Sequence, residues 1–194
     1  MFLSRPPVTL LLSALVLAGC GGTTTVVTER ASGGNSSRSV QVNSKFAKAP
    51  AVAITYAEAM VPVGSVVAVS STTGSTGTRV TLALNGMPPN RAYGAHVNTK
   101  PCGKDPKDAG PRYQNKVDTV QPSVDPASAN AQNEIWLDLT TDVTGAGTST
   151  SVVPWEFSRD HRGASVVVHA QPTATEPGKA GTAGDRIACV TVEF

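Results

Sequence analysis

An all-β sandwich or barrel is the fold class this sequence predicts, and three observations carry it: composition, a ladder of short β-rich runs, and turn residues between them. Of 194 residues only 15% are charged and 5% aromatic, against 18 Gly and 14 Pro. That balance favours strands and turns over helices. A 40% hydrophobic content suffices for one core, so the length predicts a single domain with appendages. No stretch with a helical period is long enough to compete.

Taken in order, residues 1–20, "MFLSRPPVTLLLSALVLAGC", hold one basic residue, an apolar run from Val8 to Ala18, and small residues up to a cysteine. This reads as a secretory leader over 1–19. Leu17, Ala18, Gly19 and Cys20 resemble the bacterial lipobox, in which the cysteine thiol is lipidated and becomes the mature N-terminus. Acyl chains contribute roughly 0.8 kcal/mol per buried methylene, so two or three anchor firmly. The expected location is the bacterial cell envelope, with the membrane as partner through Cys20. Residues 20–49 are polar, rich in Gly, Ser and Thr, and read as a flexible tether.

The domain is expected over 50–194. Strand composition recurs at 51–57, 65–70, 78–84, 92–98, 134–140, 148–156, 164–169 and 186–193. Gly74 and Gly77 separate the second and third runs, and "NGMPPN" closes the third, so the first three are expected to form a meander. Residues 99–133, rich in Pro, Asp, Lys and Asn, are too long for a connector and read as a functional or formerly functional loop.

The formal charge is +2, and loss of Arg5 with the leader leaves fifteen basic against fourteen acidic residues. No polyanion surface follows, which argues against nucleic acid as a partner. Export places Cys102 and Cys189 in an oxidising space, where two remaining thiols are expected to pair. A free or metal-binding pair is the lesser alternative, because their wide separation lacks the short spacing of zinc sites.

Five segments, "GAHVNTKPCG", "DAGPRYQN", "NEIWLDL", "SVVVHA" and "GDRIACVTVEF", resemble in order and separation those of the copper/zinc superoxide dismutases, from about residue 51 to Phe194. The resemblance implies a Greek-key β-sandwich or flattened barrel of about eight antiparallel strands, with one long disulfide-anchored loop. It also implies copper and zinc as cofactors, and a copper ion alternately reduced and oxidised by superoxide. By that resemblance His96 and His169 match copper histidines, Arg186 the arginine that guides the anion, and Cys102 with Cys189 the disulfide. Asp138 matches the zinc aspartate, although Ile135 stands where the family has a histidine three residues earlier.

The departures are concentrated on the metals. Asn98 occupies the place of a second copper histidine, and its amide oxygen is a hard, weak donor for copper. Arg112 stands where the histidine bridging copper and zinc belongs. A guanidinium has five donors and no lone pair to give, so it cannot ligate. Asn115 falls at a zinc histidine position, and His161 in "SRDHRGA" aligns with no ligand and reads as a solvated loop residue. Simultaneous loss of zinc ligands and gain of Arg112 predicts an Arg112–Asp138 pair holding the loop without metal. The expected function is therefore a cell-envelope lipoprotein whose domain is metal-poor and weakly active or inactive as a dismutase. An active dismutase with an atypical copper site and an envelope copper-binding protein are the alternatives. The missing imidazoles leave open that the chain holds no cofactor, and no protein partner is legible.

Overall fold

The computed structural model describes residues 15–19, 23–32, 35–158 and 160–194. The strands are β1 (Leu15–Gly19), β2 (Thr23–Ser32), β3 (Asn35–Lys45), β4 (Ala53–Thr55), β5 (Val66–Gly74), β6 (Gly77–Asn85), β7 (Ala92–Asn98), β8 (Leu139–Thr140), β9 (Gly147–Val153), β10 (Ser165–His169) and β11 (Arg186–Thr191). They form two antiparallel sheets, one ordered β1-β2-β3-β5-β6-β9 and the other β4-β11-β10-β7-β8. The expected sandwich is present, and no α-helix occurs among the described residues.

Alternation explains the packing. In β6 the residues Thr78, Val80, Leu82 and Leu84 turn inward while Arg79 and Asn85 face out, as a two-residue period requires. Val67 and Val69 of β5 and Val166 and Val168 of β10 meet them in one core. The β5–β6 hairpin needs its glycine: Gly77 has φ +112°, and a Cβ there would collide with the Val153 carbonyl.

Two expectations about the chain's course change. The run at 51–57 does not join a meander with β5 and β6: its three buried residues pair with β11, in the opposite sheet. The meander is instead β3-β5-β6, because Asn35–Lys45 pairs along β5 from Arg38↔Thr73 to Lys45↔Val66. The segment expected as a tether over 20–49 thus contains β3, and its Val40, Val42 and Phe46 are core residues. The period-2 apolar pair Val40 and Val42 is enough to bury one face once β5 supplies a partner. Cys20 and the leader through residue 14 lie outside the described residues.

The long loop is anchored at its start. Cys102 is disulfide-bonded to Cys189 of β11, with Cα atoms 5.7 Å apart. A 3-10 turn, Pro106–Ala109, follows, capped by Asp105, whose side chain accepts from the Lys107 N–H. Tyr56 donates to the Gly103 carbonyl at 2.9 Å. The loop then returns in extended form beside the end of β7, where Tyr113 N–H donates to Val97 O and Thr99 N–H to Pro111 O. Most of the run at 134–140 lies alongside β7 too, Leu137 N–H donating to Ala95 O, with only Leu139–Thr140 a strand.

Candidate metal centre

On β7, Ala95 and Val97 enter the core, so His96 and Asn98 face the other side of the sheet, beneath the loops. The register sets Val167 opposite His96 and His169 opposite Gly94, and a bulge between Val168 and His169 re-aims the second histidine. Gly94 has no Cβ to block that approach; one would meet Gln171 and Ala183 of the loop above. The two imidazoles consequently pack together, ring centroids 4.9 Å apart, His96 wholly buried and His169 7% exposed. His96 Nε2 is 2.8 Å from Thr173 Oγ1, and His169 Nδ1 donates to Gly184 O at 3.2 Å. The other nitrogen of each ring, His96 Nδ1 and His169 Nε2, is buried without a partner.

Both rings resist protonation. Burial, then the neighbouring His169, Arg112 and Arg186, hold His96 well below the ordinary imidazole range. Burial chiefly, with Arg186 and Arg112 adding and the Gly184 hydrogen bond opposing, lowers His169 to about 4.

Arg112 sits beside Asn98 across a short antiparallel bridge. It does not pair with Asp138. Its Nε donates to Glu134 Oε2 at 2.7 Å and one terminal nitrogen to Ser123 O at 2.6 Å. Glu134, 1% exposed, also accepts from Gln114 Nε2 at 2.8 Å and Trp136 Nε1 at 2.7 Å. Gly181, at φ +76°, lies directly on the guanidinium, where a Cβ would overlap it. Arg112 therefore ties the 112–134 loop to itself and packs against the 171–184 loop.

Asp138 belongs to a different group. Its carboxylate accepts from Ala95 N–H at 3.1 Å, Thr173 N–H at 2.7 Å and Thr173 Oγ1 at 2.6 Å. Asn98 gives Nδ2 to Gly110 O at 2.9 Å while its Oδ1 is buried and unpartnered. Arg186 fastens the disulfide loop, donating to Pro106 O at 3.1 Å and Gly110 O at 2.8 Å; burial and the like charge of Arg112 lower its pKa. Asn115 is exposed and turned away, its N–H donating to Asn133 O. His161 is exposed as expected, but stacks on Tyr113 with centroids 4.8 Å apart.

Sequence reasoning brought His96 and His169 together and missed Glu134, Gln114, Trp136 and Thr173. A signal for Glu134 existed: in "NEIWLDL" residues 134, 136 and 138 share one strand face, so Glu134 had the same claim on Arg112 as Asp138. Thr173 lies in a loop without a pattern, and only the tertiary path places it.

A β-sandwich with a disulfide-pinned loop over a buried histidine pair defines the fold and the candidate site. A profile of copper/zinc superoxide dismutase (SODC) matches residues 63–192, and the chain belongs to that family. Among solved structures it resembles the Cu/Zn superoxide dismutase from Brucella abortus, with TM-score 0.53 and 19% identity over 79% of this chain and 99% of that one. It also resembles a mutant form of a SOD-like protein from Bacillus subtilis, with TM-score 0.47 and 14% identity over 73% and 97%. No curated protein matches.

The family implies copper and zinc, and the residues present fit them unequally. No group of three or more His, Cys, Asp or Glu side chains suited to a metal ion occurs among the described residues. Beside Arg112, Glu134 is already neutralised by the guanidinium and accepts two further N–H donors, while the Asp138 carboxylate is held by Ala95 and Thr173. Neither carboxylate is free to take a divalent zinc, and Asn115 is exposed. On the copper side two bare imidazole nitrogens remain, half of a tetragonal nitrogen set.

Proposed function

We propose that this protein is a lipoprotein of the bacterial cell envelope, held to the membrane by lipid on Cys20, whose superoxide-dismutase-like domain is at most a weak dismutase. The carrying observation is the half-buried Arg112–Glu134 ion pair, its buried carboxylate also held by Gln114 and Trp136, at the position that by resemblance belongs to the metal bridge. The guanidinium offers no lone pair and the Glu134 carboxylate is already paired, so neither is free to ligate a cation. With only two nitrogen donors, copper lacks the ligand field that holds it through both oxidation states. Arg186, the expected guide for superoxide, gives two of its N–H donors to the loop carbonyls of Pro106 and Gly110. The lipobox at Leu17–Cys20 supports the anchor, and a near-neutral charge agrees with a role away from nucleic acid.

The test is direct. Protein purified without chelators and loaded with copper(II) and zinc(II) is assayed for metal content and superoxide consumption. The proposal expects no stoichiometric zinc and dismutation far below that of a family member with all its histidines. Fast turnover with one copper per chain would reverse it. Metabolic labelling with a fatty acid, lost in Cys20→Ser, tests the anchor separately.

A further inference from the structure

A sheet edge leaves backbone N–H and C=O groups unpaired, and most edges of this fold are short. In the second sheet the outer strands β4 and β8 have three and two residues, and β9 closes one end of the first sheet with seven. The opposite end differs. There β2 runs for ten residues, "TTTVVTERAS", rich in Thr and Val and without the Pro, Gly or Lys that blunts a free edge. Its side away from β3 carries β1, paired from Leu15↔Val27 to Gly19↔Thr23, while residues 28–32 have no partner on that side among the described residues. β1 consists wholly of leader: it ends at Gly19, and processing at the lipobox cuts the chain between Gly19 and Cys20. Maturation therefore strips the covering strand from what becomes the longest sheet edge among the described residues.

We propose that in the processed protein this edge is taken by β2 of a second copy of the chain, paired antiparallel about a two-fold axis through Val27. The inference rests on the Cys20 anchor proposed above and is independent of any dismutase activity. Isologous pairing lets one edge satisfy itself and leaves no new edge open. Orientation and charge set the register. In an antiparallel ladder, directly opposed residues point their backbone groups the same way relative to the gap, so two copies of one strand place a residue opposite itself on the axis. Centred on Val27, residues 23–31 all pair and Glu29 falls opposite Thr25; centred on Thr28, as many residues pair but Glu29 falls opposite Val27. Val27 packs against the core, so on the axis it extends the apolar layer of one copy into the next. The anchor favours a second copy over a foreign chain. Only Gly21 and Gly22 separate Cys20 from Thr23, which holds the start of every β2 within about 11 Å of its lipidated residue. Copies confined to one leaflet present the same edge at the same depth. That confinement supplies the effective concentration that a single strand pair, smaller than a standard interface, requires.

The experiment uses the full chain, expressed with its leader and kept in its membranes. The sequence has three cysteines, and with Cys102 and Cys189 disulfide-bonded and Cys20 lipidated an introduced cysteine is the single free thiol. Val27→Cys is treated with a short bis-methanethiosulfonate and the dimer is read on a non-reducing gel. It should cross-link at least about tenfold faster than Thr23→Cys, whose two thiols would lie about 27 Å apart along the paired strands. Thr25→Cys and Glu29→Cys chains, co-expressed with different tags, should form the mixed dimer. In a Cys20→Ser background, which keeps the leader, Val27→Cys should lose its cross-link. The proposal is overturned if Val27→Cys reacts no faster than Thr23→Cys, if the mixed dimer of positions 25 and 29 is absent, or if the uncut chain cross-links as fast as the processed one. A fatty-acid label on the same sample separates the two readings. A labelled chain that does not cross-link sinks this inference and leaves the anchor standing, whereas an unlabelled, uncut chain sinks both.

Discussion

Arg112→Ala removes the charged partner of a buried carboxylate. The Arg112 side chain is 15% exposed and Glu134 1%, and their contact is 2.7 Å. Removing the guanidinium leaves Glu134 with the Gln114 amide and the Trp136 indole, hydrogen bonds but no countercharge. Breaking a buried ion pair on one side typically costs about 3–5 kcal/mol, because the remaining charge stays desolvated. The loss of the Ser123 contact falls within that range. For a domain of this size each kcal/mol moves Tm by about 2–4 °C, so the expected fall is about 6–20 °C. Differential scanning calorimetry on metal-free protein measures it. The double change Arg112→Ala with Glu134→Gln should recover part of the loss, since no buried charge then remains. A Tm within about 2 °C of the parent for Arg112→Ala would refute the reasoning, which treats the pair as the fastening of the loop.

Three further outcomes follow from the same contacts. His169 titrates near 4 rather than 6.5 in the folded chain, so between those values the unfolded chain binds the extra proton. Stability is then full above pH 6.5 and falls as pH drops towards 4, by about 3 kcal/mol from this group, with His96 acting in the same direction; unfolding free energy against pH should flatten over this window in His169→Gln. Reducing Cys102–Cys189 opens a loop of sequence separation 87, which in the chain-entropy model costs about 4–5 kcal/mol, visible as a large drop in Tm with dithiothreitol. Gly181→Ala should destabilise more than Gly178→Ala: both glycines have φ near +77°, but only Gly181 abuts the Arg112 guanidinium while Gly178 has open space. Equal losses in the two would mean that backbone strain alone matters there.

How much of this was legible beforehand varies with the length scale of the interaction. Seven of the eight expected runs became the strands β4–β7 and β9–β11, because period-2 burial is written into consecutive residues such as Val67, Val69 and Ser71. The eighth, 134–140, mostly runs beside β7 without forming regular strand, its backbone bonds being shared with the loop. β3 escaped notice because a polar Ser/Asn/Gln strand with two inward valines looks like a linker until a neighbour covers it. Residues 51–57 were recognised as a strand but given the wrong neighbour, since composition does not say which sheet edge is free. At the site, the histidine pair and the disulfide followed from matched segments. The identity of the partner of Arg112 did not.

The chain's own order of residues determined that it would form a two-layer β fold, that its cysteines 102 and 189 would meet, and that residue 112 would bring a guanidinium and not a ligating side chain to the loop. Those properties reside in local alternation and in side-chain chemistry that no folding can alter. Three-dimensional packing decided the rest: Glu134 rather than Asp138 neutralises Arg112, and Asp138 binds Thr173, whose hydroxyl lies within hydrogen-bond distance of His96. The physical reason is reach. Glu134, Trp136 and Asp138 occupy one strand face and are equivalent along the chain, and only the paths of the loops at 112–123 and 171–184 bring a different donor to each.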